Sequence, residues 1–371
     1  DIMLTEKSLY RIALTQIKGV GITLAKSLMQ AVGDEEAIFR ESVRNLEKIP
    51  RISRRLIDEI RNPQVIRRAE EELAFVEKNK LRLLFFTDED YPSRLNNCID
   101  APILLYAKGN ADFNRQKIVS IVGTRKLTEY GQEFCKKFVH QLSEKIPDLM
   151  IVSGLAYGAD ICAHRASLSA NLSTVGVLAH GLDRIYPAVH RKTAIEMLEK
   201  GALITEFASQ TNPDRHNFVK RNRIVAGMSD ALVVIESAEK GGALITAEIA
   251  NSYFREVFAV PGRNTDVMSA GCNRLIADNK AVLLRNTQTF LEQLGWETST
   301  KAQHPRQREI FLNLSEDEEK VCNALNGTDG MQVNRLAIEL NIPVSELFMT
   351  LLELEMKNVI QASPGGMYKL L

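Results

Sequence analysis

From residue 117 onward the chain alternates short apolar, β-branched runs with stretches of helical character. The runs lie at 117–122, 149–152, 174–178, 202–205, 231–235, 256–260 and 281–284. The helical stretches include 129–145, 158–170, 190–200 and 242–254. Runs that are apolar throughout suit strands buried on both faces, and helices between them suit crossover connections. The pattern predicts an α/β fold with a parallel sheet covered on both faces. In such a sheet a ligand site is expected at the carboxyl ends of the strands.

Other segments flank this core. Residues 1–80 read as all-helical, with apolar positions recurring at three and four residues. Segments 83–86 and 103–107 read as added strands ahead of the main sheet. Residues 296–314, polar and containing Pro305, read as a linker. Beyond it, Ser315 with Glu318 forms a capping box. Helical patterns at 316–326, 332–340 and 343–358 lead to a terminal hairpin, the outline of a winged helix. The predicted divisions are therefore 1–80 (helical head), 81–295 (α/β core), 296–314 (linker) and 315–371 (winged helix).

Charge narrows the function. The 47 basic and 47 acidic residues cancel, which excludes a strongly basic nucleic-acid binder but not a local basic patch. Residues 110–290 are net +4 and 300–371 net −3, so the core is the expected anion-binding part. The third helix of the tail carries Glu346, Glu353 and Glu355 against Lys357, which suits a protein contact better than a DNA groove. Five cysteines, at 98, 135, 162, 272 and 322, show no Cys-x-x-Cys spacing. Neither a disulfide framework nor a zinc ribbon is expected, and a reducing cytoplasm fits. No apolar run is long enough for a bilayer, and Glu6, Lys7 and Arg11 argue against a signal peptide.

Several predicted strands end in glycine or small polar residues: Gly123-Thr124-Arg125, Ser153-Gly154, Gly241-Gly242 and Pro261-Gly262-Arg263. In a parallel sheet these ends share one edge. Glycine admits a ligand close to the backbone, helix N-termini favour anions, and arginine offers paired donors to phosphate. The run Arg215-His216-Asn217-Phe218-Val219-Lys220-Arg221-Asn222-Arg223 places one aromatic ring among cations. That is the composition of a single-strand binder, in which the ring stacks on a base and arginines hold phosphates. Alternatively Phe218 opens a helix and packs inward, with Arg221 or Arg223 in structural ion pairs. In the head, Leu14-x-x-Ile17-Lys18-Gly19-Val20-Gly21 resembles a helix-hairpin-helix, either a phosphate contact or a packing turn. His164 and His180 lack a partner at catalytic spacing and are expected to be structural. Neither Gly-x-Gly-x-x-Gly in the first loop nor any Gly-Lys dipeptide is present, which disfavours NAD and a Walker A loop. There is also no Gly-x-Ser-x-Gly elbow and no His-Glu-x-x-His.

Taken in order, Gly123-Thr124-Arg125, Ser153-Gly154-Leu155-Ala156-x-Gly158-Ala159-Asp160, Gly181-Leu182-Asp183-x-x-Tyr186-Pro187 and Phe218-x-x-Arg221-Asn222-Arg223-Ile224 form one series. Leu244-Ile245-Thr246-Ala247, Pro261-Gly262 and Gly271-x-Asn273-x-Leu275-Ile276 continue it. This succession over about residues 82–290 closely resembles the DNA-processing protein A (DprA/Smf) family. The resemblance implies an extended Rossmann fold with a helical head and a winged-helix tail. It implies a cytoplasmic protein, not an enzyme, without cofactor or metal, that binds single-stranded DNA. Such a protein protects incoming DNA in natural transformation, helps load the RecA recombinase and works as a homodimer. The DNA-binding residues implied are Gly123, Arg125, Ser153, Gly154, Arg215, Phe218, Arg221, Asn222, Arg223, Gly241 and Gly242. The chain departs from the family at Val219, where proline is frequent, at His190, where asparagine is common, and at Gly241-Gly242-Ala243. An alternative rests on Gly241, Gly242, Thr246 and Glu248, which are similar to a nucleotide phosphoribohydrolase motif. That motif has one residue fewer before the threonine and a further glutamate with no counterpart here.

Overall fold

The computed structural model describes residues 6–296, 314–328, 330–357, 359–363 and 366–371. All of the expected linker except Trp296 and Leu314 lies outside the described residues.

The head is six helices: α1 (Glu6–Gln16), α2 (Ile22–Val32), α3 (Glu35–Arg40), α4 (Val43–Leu46), α5 (Arg54–Ile60) and α6 (Pro63–Asn79). Local chemistry starts four of them. Asp34, Ser42, Ser53 and Asn62 each accept a backbone N–H of the following helix, and Pro63 fills the first position of α6. Between α1 and α2, Gly19 has φ 88°, a conformation that costs glycine little.

The chain then builds nine strands: β1 (Arg82–Phe85), β2 (Leu104–Gly109), β3 (Ile118–Val122), β4 (Met150–Ser153), β5 (Ser173–Val177), β6 (Ala202–Thr205), β7 (Ala231–Val234), β8 (Glu256–Ala259) and β9 (Val282–Leu283). Their order is β1-β2-β6-β5-β4-β3-β7-β8-β9. From β6 to β9 every neighbouring pair is parallel; β1 and β2 extend the β6 edge antiparallel.

The helices of this region are α7 (Ser93–Asn96), α8 (Glu129–Lys145), α9 (Ala159–Ser169), α10 (Arg191–Met197), α11 (Arg215–Gly227), α12 (Gly242–Ser252), α13 (Ala270–Ala277) and α14 (Thr287–Gln293). The period of two along the strands sorts side chains between two cores. Val119, Ile121, Ile151 and Val233 face α8 with Phe138 and Leu142. Ile118, Val122, Val152 and Val234 face α11 and α12 with Ile224 and Ala247. This second core continues through β1 and β2 into Ile12 and Leu14 of the head.

The tail comprises α15 (Glu316–Leu325), β10 (Met331–Gln332), α16 (Val333–Leu340), α17 (Val344–Met356), β11 (Ile360–Ser363) and β12 (Met367–Leu370). The Ser315–Glu318 capping box is formed as expected, and Lys357 adds a 2.6 Å contact to the Glu318 carboxylate. The tail docks behind β8. Arg255 donates to Asn334 at 2.7 Å, Asn334 donates to the Phe254 carbonyl at 3.1 Å, and Phe254 meets Phe348 edge-on. The expected fold class is therefore present, an extended Rossmann-like parallel core with a helical head and a winged-helix tail.

Candidate functional site

The chain enters the parallel sheet at β3, builds outward to β6, and returns to lay β7 on the other side of β3. The loops leaving β3 and β7 diverge, and the crevice between them is where open α/β sheets hold ligands. Here it is a cleft of about 1030 Å³. The loop after β3 supplies Gly123 and Arg125, that after β4 Gly154, and that after β7 Gly241 and Gly242. Along one side of α11, Arg215, Phe218, Val219, Arg221, Asn222 and Val225 add to the lining. Backbone bonds tie the loops: Thr124 donates to the Glu236 carbonyl at 2.7 Å, and Ala159 donates to the Thr124 carbonyl at 3.1 Å.

One wall is occupied by the protein's own packing. A Cβ at Gly123 would sit 2.7 Å from the Ala159 Cβ, and one at Gly154 would sit 2.4 Å from the Arg221 guanidinium. Arg221 is only 4% exposed; its Nη1 donates to the Gly154 carbonyl at 2.6 Å and also to the Val177 carbonyl. It thereby braces the ends of β4 and β5. Burial pulls its guanidinium below the ordinary range, against the opposing pull of Asp160. The Asp160 carboxyl is pushed up by burial, with Arg221 and the Ala156 N–H restraining it.

The other wall is open. A Cβ at Gly242 would meet nothing nearer than the Asn222 amide nitrogen at 3.9 Å, and one at Gly241 would meet only the Ser237 hydroxyl, at 3.2 Å. Gly241 is extended (φ −179°), so backbone strain does not call for glycine there, and a side chain would require only a small shift of the Ser237 hydroxyl. Helix α12 starts at these glycines without a side-chain cap, leaving its first N–H groups free for an anion. Arg125 lies over the Phe218 ring at 5.1 Å, and Arg221 approaches the same ring at 5.8 Å. Among the described residues Arg125, Arg215, Lys240 and Arg274 line the cleft with no carboxylate partner.

Nine of the eleven residues singled out from the sequence are thus brought together; Ser153 and Arg223 are not. Ser153 is fully buried, its hydroxyl donating to the Ile121 carbonyl at 2.6 Å. Arg223 points to the other side of α11 and pairs with Glu206 at 2.5 Å, beside Lys220 at 3.2 Å from the same carboxylate. With about 3.6 residues per turn, Arg221 and Arg223 cannot share a helix face. Lys240 and Arg274 were missed by the sequence reading. Lys240 was legible, directly preceding the glycine pair; Arg274 reaches the cleft from α13 only through the fold.

The glycine hairpin between α1 and α2 opens on a second cleft of about 590 Å³, which Glu206, Lys220 and Arg223 also line. His164 and His180 are structural, as expected. His164 is buried against the Thr174 hydroxyl at 2.7 Å, and burial holds it neutral, at about 3. His180 shares a hydrogen with the Gly181 carbonyl and accepts the Tyr186 N–H. At the rim, Glu248 is exposed and lies 3.6 Å from Lys280. Among the described residues no three His, Cys, Asp or Glu side chains gather as a metal site, and no helix is long and apolar enough to cross a membrane.

Known proteins agree with this architecture. The family model for DNA recombination-mediator protein A matches residues 82–295, and that for the DprA winged helix domain matches residues 305–366. Protein Smf of Escherichia coli is 33% identical over 309 residues, spanning 81% of this chain and 80% of that one. The X-ray structure of DNA processing protein A from Streptococcus pneumoniae superposes with a TM-score of 0.60 at 29% identity, covering 78% of this chain and 98% of that one. A Helicobacter pylori structure, described as revealing a single-stranded DNA binding mode of DNA processing protein A, superposes with a TM-score of 0.52 at 28% identity, covering 58% and 95%.

Proposed function

Because the chain belongs to the DNA recombination-mediator protein A family, we propose that it binds single-stranded DNA in the cleft between β3 and β7. In this reading it protects incoming DNA during natural transformation and helps load the RecA recombinase, acting as a homodimer in the cytoplasm. The observation that carries the proposal is the open wall, where four cations without a carboxylate partner among the described residues, and an uncapped helix start, gather near the half-buried Phe218 ring. Phosphates would sit at the first turn of α12, where Gly241 and Gly242 let the backbone approach, with Arg125 and Lys240 supplying charge. Phe218 would stack on a base, for which Arg125 would have to leave its place over the ring. Arg221 would act from behind, by holding the loop after β4. The name of the H. pylori relative's structure supports the single-stranded choice.

The protein would work by binding, not by catalysis. A base-cleaving reaction would require a carboxylate pair poised in the cleft. Three carboxylates line it: Glu248 faces Lys280 at the rim, Asp160 is buried beneath Arg221, and Glu239 is exposed on the loop after β7.

The test is a titration of the full chain with single-stranded and double-stranded DNA at two salt concentrations. Preferential single-strand binding that weakens as salt rises is expected. Equal binding of both forms, or none, would contradict it.

A further inference from the structure

Helix α17 of the tail carries apolar residues on two sides. Val344, Leu347, Leu351 and Leu354 are buried in the core of the tail, and Phe348 packs on Phe254. Away from that core, Met349, Leu352 and Met356 are 63%, 52% and 77% exposed. Their spacing of three and then four residues aligns them in one stripe, about 10 Å long at 1.5 Å per residue. By the same helical period Glu346 and Glu353 border the stripe on one side and Glu355 on the other, and all three are exposed. Among the described residues none of these glutamates has an ion-pair partner, and Lys357, at the end of the helix, is held by Glu318 at 2.6 Å. We propose that this stripe docks a basic amphipathic helix of a partner protein.

Adjacent large apolar side chains on a solvent face mark an interaction surface, as scattered single ones do not. The pattern fits a helix as the occupant. Met349, Leu352 and Met356 take the a, d and a positions of one heptad, and Glu353 and Glu355 take its e and g positions. In paired helices the a and d side chains interlock, while e and g charges choose the partner. Two methionines make the seam adaptable, because an unbranched thioether repacks around differing side chains. The glutamates then select lysine or arginine on the partner, and the negative end of the α17 dipole lies beside Glu353 and Glu355. The same charges turn away two other occupants. DNA phosphates would meet carboxylates, and a second copy of the stripe would set glutamate against glutamate.

The test uses the full chain and two labelled synthetic helices of about three heptads, with leucine at a and d and either lysine or glutamate at e and g. Fluorescence anisotropy should show saturable binding of one lysine peptide per chain, and binding of the glutamate peptide weaker by roughly tenfold or more. Met356→Asp should weaken the lysine peptide by roughly tenfold, and the melting temperature should hold because the side chain is exposed. Replacing Glu346, Glu353 and Glu355 together by lysine should reverse the preference, so that the glutamate peptide binds more tightly. Should that triple variant fold poorly, Met356→Asp and Leu352→Asp still decide the matter. Binding of neither peptide, equal binding of both, or a preference that survives the charge reversal would overturn the proposal. So would self-association of the chain that Met356→Asp removes, which would assign the stripe to a second copy, or displacement of the peptide by duplex DNA.

Discussion

On one wall of the cleft Arg221 is buried and holds the carbonyls of Gly154 and Val177; on the other Arg125 lies exposed over Phe218 with no carboxylate partner. The glycines divide the same way. Gly123 and Gly154 are required because a Cβ would strike Ala159 or the Arg221 guanidinium, while Gly242 has room for one and Gly241 would press only on the Ser237 hydroxyl. Residue type therefore does not separate scaffold from ligand site; what each side chain already touches does. A buried, bonded arginine holds the loop in place, and an exposed, unpartnered one is free to meet a phosphate.

The largest effect expected from this contrast is on stability. Arg221→Ala would leave two strand-end carbonyls and Asp160 without their buried partner, costing roughly 3–5 kcal/mol. Thermal melting checks it, and a melting temperature equal to the parent's would place Arg221 on the open wall instead. Next comes Phe218→Ala, which should weaken single-strand binding by roughly 1–3 kcal/mol while leaving its salt dependence nearly unchanged. Unfolding of this variant would mean that the ring belongs to the packed wall. The smallest stability effect belongs to Gly242→Ala, because its Cβ finds space and alanine suits a helix better than glycine by up to about 1 kcal/mol. Its melting temperature should hold or rise while single-strand affinity falls; unaltered affinity would show that no ligand approaches this backbone.

Much of this was legible in the sequence, and the rest was not for identifiable reasons. The strand expected at 202–205 and the helix at 129–145 coincide with Ala202–Thr205 and Glu129–Lys145, because runs buried on both faces and an amphipathic helix carry strong patterns. The run from Arg215 to Arg223 looked like one cationic patch, and a helix splits it, turning Phe218 and Arg221 into the cleft and Arg223 toward Glu206. Ser153 is expected among the DNA contacts as a strand-end residue, yet its hydroxyl is taken by the neighbouring strand. The difference between the two glycine pairs depends on neighbours distant in the chain, so no local pattern could report it.

The most direct test of the open wall is the salt dependence of single-strand binding by Arg125→Ala beside the parent chain. Arg125 carries charge, lines the cleft and has no carboxylate partner among the described residues. If it holds one phosphate, the log–log slope should fall by roughly 0.7 and the melting temperature should stay put. Binding equal to the parent's at every salt concentration would contradict the assignment of this cleft to DNA.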